Sequence, residues 1–507
     1  VVPVIVLPDG AGGWWHRYVC PSHGVELAHE GLLDGTFPEG GAACGYGCRI
    51  DDPAVRAAWR ALAHQACARE ILRLAGTGAM EPARTLLDEY AVRYAELGPH
   101  DGAERWMQGG RLFQQALTEA IWATAIGTAS WLCGQDPSLR DALAAQLASA
   151  RDDLVAQGRF ASNYTAWFVA AGAVCTRDPH WLTGPDGMFA HVLAGTGADG
   201  WEWEGSTYYH AFVLLAYSRA LRAIPDVEVP SKVAQRLAAM AQVLRVLSHP
   251  GAKTLRSDTL PALHDGPYRR AGYNAELAEL DELLPQDGPV AEVTVFDDAG
   301  YAVLHGNGVQ AIVDYGPHGG SHGHRDKLAL YLYGESSPWQ PDPGQVPYGH
   351  PIWREHYAST AAHPTFSVDG LEQAECSGRL VHADPRRVEV ACDEAYPGVR
   401  ARRRLTLDGG AVVDELTVAC DRPRRVVLQL RPDVPLSVSA GEVSRTRWAG
   451  ERTLRGEHTA TSAAWFVSRP GPGPADDPQR TRTWVDWTVP DATEVTYRSV
   501  YAHSGES

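Results

Sequence analysis

The sequence lacks an excess of positive charge: 45 Lys and Arg against 62 Asp and Glu give a formal net charge of −17. That argues against nucleic acid or an anionic membrane surface as a partner, both of which are held by clustered cations. It does not exclude an anionic glycan, because a local cationic site can sit in an acidic protein. No apolar run approaches the roughly 20 residues that a membrane-spanning helix needs. There is no fixed-period repeat, which disfavours TPR- or HEAT-type arrays. The start, VVPVIVLPDGAGGWWHRY, lacks a basic segment and a usual cleavage site. This leaves either a cytosolic protein or one whose targeting segment was removed before this numbering begins. Phenylalanine is scarce, 9 against 16 Trp and 19 Tyr. Tryptophan and tyrosine suit clefts in which sugar rings stack, although many will fill the core.

What is present is a chain of 507 residues, too long for one ordinary core. From about Asp51 to Leu284 apolar residues recur at i, i+3, i+4 and i+7, as in AVRAAWRALAHQACAREILRLAG and RLFQQALTEAIWATAIGTASWL. Gly, Pro and Asp mark the breaks. Many consecutive helices of this kind suggest a bundle, an α-solenoid or an α/α toroid. Near Pro289 the period changes to two, and turn residues separate β-rich runs up to Ser507. Helices and strands in separate blocks imply an α+β, two-domain chain. The expected division is an N-terminal extension over 1–50, a helical domain over 51–288 and an antiparallel β domain over 289–507, with a linker near 285–292.

There are nine cysteines. Cys67, Cys133 and Cys175 lie in helical patterns as buried thiols. Cys20, His23, Cys44 and Cys48, in CPSH and CGYGC, approach a zinc-ribbon spacing, but the second half is C-x3-C rather than C-x2-C. A metal, a disulfide and plain thiols all remain open there. Asn163, in SNYTAW, precedes an apolar helix and has the chemistry of an N-cap. In DGWEWEGSTYYHAF, Glu204-Gly205-Ser206 makes a turn and Tyr208, Tyr209 and His210 occupy the first turn of a helix. A tyrosine serves as general acid or base only where neighbours lower its pKa. In DYGPHGGSHGHRDKL, a strand from Ser321 onward would project His322 and His324 from one face. Asp342, in the DPG turn, and His363 could complete a site with His324. Two imidazoles and one carboxylate suit zinc, and would also take manganese.

Taken together, SNYTAW, DG-x-x-x-EGS-x-x-YH, DYGPHGG-x-HGH-x-DKL, the DPG turn and YG-x-P-x-WRE-x-Y-x-STAAH-x-T-x-x-VDG resemble the heparinase II/III-like polysaccharide lyases over nearly the whole chain. The GGWWHRYVCPSHG start looks like some members too. The resemblance implies an incomplete (α/α) toroid followed by a C-terminal antiparallel β-sandwich, with the active cleft between them. It also implies β-elimination at a uronic acid, on alginate, on a glycosaminoglycan such as heparin, heparan sulfate or hyaluronan, or on oligosaccharides from them. Asn163 and His322 then bind the uronate carboxylate, and Tyr209 is the acid or base, paired with His210. His324, Asp342 and His363 match the ligands of one divalent metal, zinc or manganese, with a structural role and no organic cofactor. Tyr348 and Arg354 match positions near the substrate. Some members carry a His directly after the Asn. Tyr164 stands there, which puts in doubt the processing of both uronate epimers. The implied partner is an acidic polysaccharide or oligosaccharide, with no nucleic acid and no membrane; a homo-oligomer is compatible with it.

Two other readings compete. A glycoside hydrolase on an α/α toroid needs two carboxylates flanking the bond. Glu204 and Asp199 lie close in sequence, but no second block offers a partner. A non-catalytic glycan-binding protein would be favoured by loss of Tyr209 or His322, and both are present.

Overall fold

The computed structural model describes residues 5–269, 271–282, 290–335, 337–345, 347–350 and 353–503. The side chains of residues 271, 353 and 354 also fall outside that description, so nothing follows about the expected substrate contact of Arg354. Most of the expected linker over 285–292 lies outside it as well.

Helix α1 (Pro53–Gly76) starts where its sequence says it should: Pro53 takes the first position, and Asp52 Oδ1 accepts the backbone N–H of Ala54 and Val55 at 2.9 and 3.0 Å. It is followed by α2 (Met80–Glu96), α3 (Ala116–Cys133), α4 (Ser138–Ala156) and α5 (Asn163–Thr176). Every residue of α5 from Asn163 to Cys175 is buried, and α3 is nearly so. By contrast α4 buries one stripe, Leu139, Leu143, Leu147 and Leu154, as an outer helix must. Helix α3 packs on both α1 and α5, and α4 packs on α5. This alternation of inner and outer helices is the expected α/α toroid pattern. Short helices α6 (His180–Thr183) and α7 (Met188–Ala194) and long helices α8 (Thr207–Ala223) and α9 (Ser231–Leu247) follow, with α10 (Asn274–Asp281) last. Cys67, Cys133 and Cys175 are buried free thiols, as their helical patterns indicate.

Packing divides the chain into two compact units. The first is Val1–Gly195 with Phe212–Gln235 and Pro347–Pro351; the second is Thr196–Ala211 with Arg236–Val346 and Ile352–Ser507. Residues 196–211 and 236–282, helical in pattern, thus pack with the strands. The reason is polar as well as apolar. The last carbonyls of α9 have no partner within the helix, and Gln310 Nε2 donates to Val246 O and Leu247 O at 3.1 and 3.0 Å.

In the first unit, β1 (Ala42–Ala43) and β2 (Arg49–Ile50) form a two-stranded hairpin. In the second unit, β3 (Val293–Phe296), β4 (Tyr301–Gly306), β5 (Val309–Asp314), β6 (Leu330–Tyr333) and β7 (Pro338–Gln340) pair in sequence order into a five-stranded antiparallel sheet. The rest make a ten-stranded sheet: β8 (Phe366–Val368), β9 (Arg379–Asp384), β10 (Arg387–Cys392), β11 (Val399–Asp408), β12 (Ala411–Leu430), β13 (Leu436–Ser439), β14 (Ser444–Ala449), β15 (Thr453–Ala460), β16 (Trp465–Gly471) and β17 (Arg482–His503). Strand β11 alternates strictly, burying Val399, Ala401, Arg403, Leu405 and Leu407. Leu304, Ala311 and Leu332 of the smaller sheet share one core with Val390, Leu405, Leu416 and Leu428 of the larger. The two sheets therefore face each other as a sandwich.

Candidate active site

The glycine-rich segment after β5 does not run as a strand. Gly320–His322 is a single 3-10 turn, and β6 starts only at Leu330. Gly319 and Gly320 hold φ of +82° and +63°, which an extended run of ordinary residues does not adopt. Gly323 lies against the chain: a Cβ there would fall 1.3 Å from His318 O. The expectation that His322 and His324 share a strand face is thus corrected. They converge because both reach the same carboxylate. His322 Nδ1 bonds Asp265 Oδ2 at 2.8 Å, and His324 Nε2 bonds Asp265 Oδ1 at 3.1 Å. Burial would raise the Asp265 carboxyl, but the bonds from the two histidines outweigh it and hold it at about 2. Asp265 is therefore an ionised acceptor for two imidazole N–H groups.

Tyr209 lies over His322 with the rings stacked at 3.9 Å. Its position follows from the start of α8, where Ser206 Oγ accepts the Tyr209 N–H at 3.4 Å and donates to Asp265 O at 2.8 Å. The neighbouring Tyr208, about 100° round the helix, meets Tyr273 instead at 5.0 Å. His210 turns inward and is fully buried. Its Nδ1 accepts the Glu202 N–H at 3.2 Å, and its Nε2 faces Met240 O at 2.9 Å. Burial pushes it down to about 4, so it stays neutral. With both ring nitrogens facing backbone atoms, His210 ties a loop to α9. His322 Nε2 points towards Glu204 Oε1, 3.7 Å away. Trp203 is 45% exposed, and its ring covers Gly320, where a Cβ would come within 3.1 Å.

His324, Asp342 and His363 come together as their motifs suggest, all fully buried. His324 Nδ1 lies 3.0 Å from His363 Nε2, and 3.9 Å from Asp342 Oδ2; His363 Nε2 lies 3.8 Å from Asp342 Oδ1. The outer nitrogens are engaged elsewhere, His324 Nε2 with Asp265 and His363 Nδ1 with Ser359 O at 2.7 Å. If both outer nitrogens carry their protons, two lone pairs face each other beside a carboxylate, an arrangement that a cation between them would satisfy. Burial pushes the Asp342 carboxyl up to about 6 and the His363 imidazole down to about 3. The donor set of two imidazoles and one carboxylate fits a divalent ion such as zinc.

A second buried cluster lies beside it and is of another kind. His264 Nε2 faces Asp314 Oδ2 at 3.2 Å and Asp326 Oδ1 at 3.7 Å, and Lys327 Nζ donates to Asp314 at 2.7 Å. Burial opposes charge on His264, but the bonds to Asp314 and Asp326 outweigh it and raise the imidazole to about 10. Two cations, His264 and Lys327, against two carboxylates, Asp314 and Asp326, make a neutral ion network.

The remaining site candidates lie in the first unit. Asn163 is not the helix cap. Ser162 is, its Oγ accepting the Tyr164 N–H at 3.3 Å, and Asn163 is the first residue inside α5, buried. Tyr164 is buried too, and its hydroxyl accepts from Gln115 Nε2. Tyr348 is half-buried and meets the edge of His16 at 4.7 Å. Sequence reasoning missed Asp265 and Trp203. The available signal was HDGPY, a His-Asp pair before a glycine in an otherwise apolar stretch, but nothing in it names the histidines it serves.

Residues 288–500 match the family described as heparinase II/III-like, C-terminal. The solved structure of heparinase III is similar over 100% of this chain and 87% of its own, with a TM-score of 0.68 at 15% identity. The heparan sulfate lyase HepC from Pedobacter heparinus is similar over 89% of this chain and 77% of its own, with a TM-score of 0.61 at 14% identity. No curated protein sequence matches. Residues 288–500 thus match the heparinase II/III-like C-terminal family, and the chain as a whole has the fold seen in the heparinase III structure.

Proposed function

We propose that the protein is a polysaccharide lyase that cleaves a uronate-containing glycan, a glycosaminoglycan of the heparan sulfate kind in first place, with alginate or hyaluronan as the other members of the class. The observation that carries the reading is Tyr209 stacked at 3.9 Å on His322, whose Nδ1 is committed to Asp265. A hydroxyl able to move a proton thus sits against an imidazole of fixed orientation. The names of the fold's relatives, a heparinase and a heparan sulfate lyase, support the substrate class.

In this reading His322 Nε2 holds the uronate carboxylate and offsets its charge, the task that the family resemblance also gives to the Asn163 amide. The C5–H bond is then weakened, and Tyr209, as the phenolate, takes that proton. The C4–O bond breaks as the C4=C5 double bond forms, and Tyr209, now the phenol, returns the proton to the leaving C4 oxygen; no water is consumed. One donor to the developing negative charge is worth about 100- to 1000-fold and a placed acid or base about 100- to 10,000-fold. Together they have the scale that abstraction of a very weakly acidic proton demands. Exposed Trp203, against the turn that carries His322, offers a face on which a sugar ring can stack. A divalent ion held by His324, Asp342 and His363 would clamp the histidine turn to the DPG loop and lies one side chain away from the chemistry, through Asp265.

The hydrolase alternative loses one of its carboxylates. Asp199 Oδ1 accepts the Trp201 N–H at 3.0 Å and Asp199 Oδ2 the Ala299 N–H at 2.9 Å, so it is a loop-fixing group. The test is a panel of heparan sulfate, heparin, hyaluronan, chondroitin sulfate and alginate, followed by the ultraviolet absorbance of the 4,5-unsaturated uronate. Products heavier by one water in the mass spectrum, without that absorbance, would overturn the lyase reading.

A further inference from the structure

We propose that Cys20, His23, Cys44 and Cys48 form a second, separate metal centre, a tetrahedral zinc site with three thiolates and one imidazole that staples the N-terminal segment. The spacing alone left a disulfide or plain thiols open. The geometry favours the metal. His23 Nδ1 lies 3.4 Å from Cys20 Sγ, 3.5 Å from Cys44 Sγ and 3.5 Å from Cys48 Sγ. One nitrogen stands equidistant over three sulfurs. Zinc at about 2.3 Å from sulfur and 2.0–2.1 Å from nitrogen in tetrahedral geometry requires N···S edges of about 3.5–3.6 Å. All four ligand atoms lie within 4.8 Å of one another, and the cysteines are free. Three thiols and an imidazole pointing at one centre do not serve a disulfide, which would leave one sulfur over and give the imidazole nothing to do.

Both arms are turns shaped to present ligands. Cys20 and His23 sit on a turn closed by the Val19–Glu26 bridge, with Gly24 N–H donated to Cys20 O at 2.9 Å. Cys44 and Cys48 sit at the tip of the β1–β2 hairpin, where Cys44 N–H meets Cys48 O at 2.8 Å. Gly47, at φ +86°, absorbs the extra residue of the C-x3-C spacing. The Tyr46 N–H points at Cys44 Sγ at 3.4 Å, the outer contact a thiolate ligand receives, and the Tyr46 ring stacks on His23 at 4.9 Å. The segment needs such a staple. Among its described residues the regular structure is two strands of two residues and one 3-10 turn of three, over a small cluster in which Tyr18, Val25 and Leu27 meet Trp59 and Leu62 of α1. Binding displaces three thiol protons and leaves a net charge of minus one, at a rim where His23 and Cys48 are half-exposed. The staple also bears on the loop that carries Tyr348. A Cβ on Gly24 would lie 2.6 Å from His350 Nε2, so the first turn seats directly on that loop.

The test exchanges cobalt(II) into the full-length protein and records its absorption. The expected result is a thiolate-to-metal charge-transfer band with the strong visible bands of a tetrahedral ion. His324→Ala should keep these, since the imidazole–carboxylate cluster has no sulfur, while Cys44→Ser should lose them together with a single equivalent of zinc per chain. If Cys44→Ser does not fold, mercurial titration of the wild-type protein decides: zinc released in step with three thiols supports the site, and no zinc released overturns it. A cobalt protein without the charge-transfer band, or a disulfide among Cys20, Cys44 and Cys48 in the intact mass, would also overturn it.

Discussion

Asp265→Asn is the most informative single change, because one carboxylate serves two histidines with different proposed tasks. Each Asp265 oxygen accepts one imidazole N–H, from His322 at 2.8 Å and from His324 at 3.1 Å. The amide keeps the shape and one acceptor. Its Nδ2 then faces an N–H on one of the two rings, and that ring must change tautomer or turn. Each lost bond is charge-assisted and worth about 1.5–3 kcal/mol. If the His322 bond is the one lost, kcat should fall by about 10- to 150-fold at 1.36 kcal/mol per tenfold, with KM changed less. If the His324 bond is lost, metal affinity should fall by about 10- to 100-fold, the usual cost of removing an outer partner from a ligand. The assay is kcat and KM on the best substrate of the panel, with metal content and melting temperature on the same preparations. A kcat within about threefold of wild type, with metal content unchanged, would refute the claim that Asp265 orients either ring.

Tyr209→Phe should remove nearly all turnover while substrate still binds, and Tyr208→Phe should keep most of it; a Tyr209→Phe kcat within about tenfold of wild type, or ~1.4 kcal/mol, would force the mechanism onto other groups. His324→Ala, like metal removal, should lower the melting temperature along with activity, whereas His322→Ala should lose activity with little loss of fold; a metal-free preparation of unchanged stability and activity would show that the cluster is held by hydrogen bonds alone. Trp203→Ala should raise KM several-fold at nearly constant kcat, measured on oligosaccharides long enough to reach it. Burial pushes His64 and His191 down to about 4 in the folded chain. Their neutral state adds stability that is fully present above the unfolded value of about 6.5 and is lost as pH falls from there to about 4. The urea midpoint of the helical unit should drop across that window, and His191→Gln should flatten the drop; a midpoint independent of pH between about 6.5 and 4 would show that these imidazoles do not carry the linkage.

The local periodicities determined a good deal without help. Apolar residues at helical spacing placed α1 to α5, because a helix that buries one stripe and a helix that buries every side differ visibly in composition. Strict alternation placed β11 and the antiparallel β block, since only every second side chain can face the core, while the sandwich came from the family resemblance. His324, Asp342 and His363 were also legible together, because each stands in its own motif with turn residues beside it. What tertiary structure decided were choices between neighbours and pairings across distance. Asp265 lies far from His322 and His324 in sequence, so no spacing rule links them. The positive φ of Gly319 and Gly320 turned an expected strand into a 3-10 turn, and shared bonding to Asp265 did what a strand face was expected to do. Ser162 rather than Asn163 caps α5, a shift of one residue that moves the amide from the cap into the first helical turn. His210 faces inward because the backbone of Glu202 and Met240 claims both its nitrogens, while Tyr209, one step round the helix, meets His322. A sequence states which groups are near in the chain; only the fold sets which of them share a proton or a sulfur-lined corner, because that depends on where distant backbone runs past them.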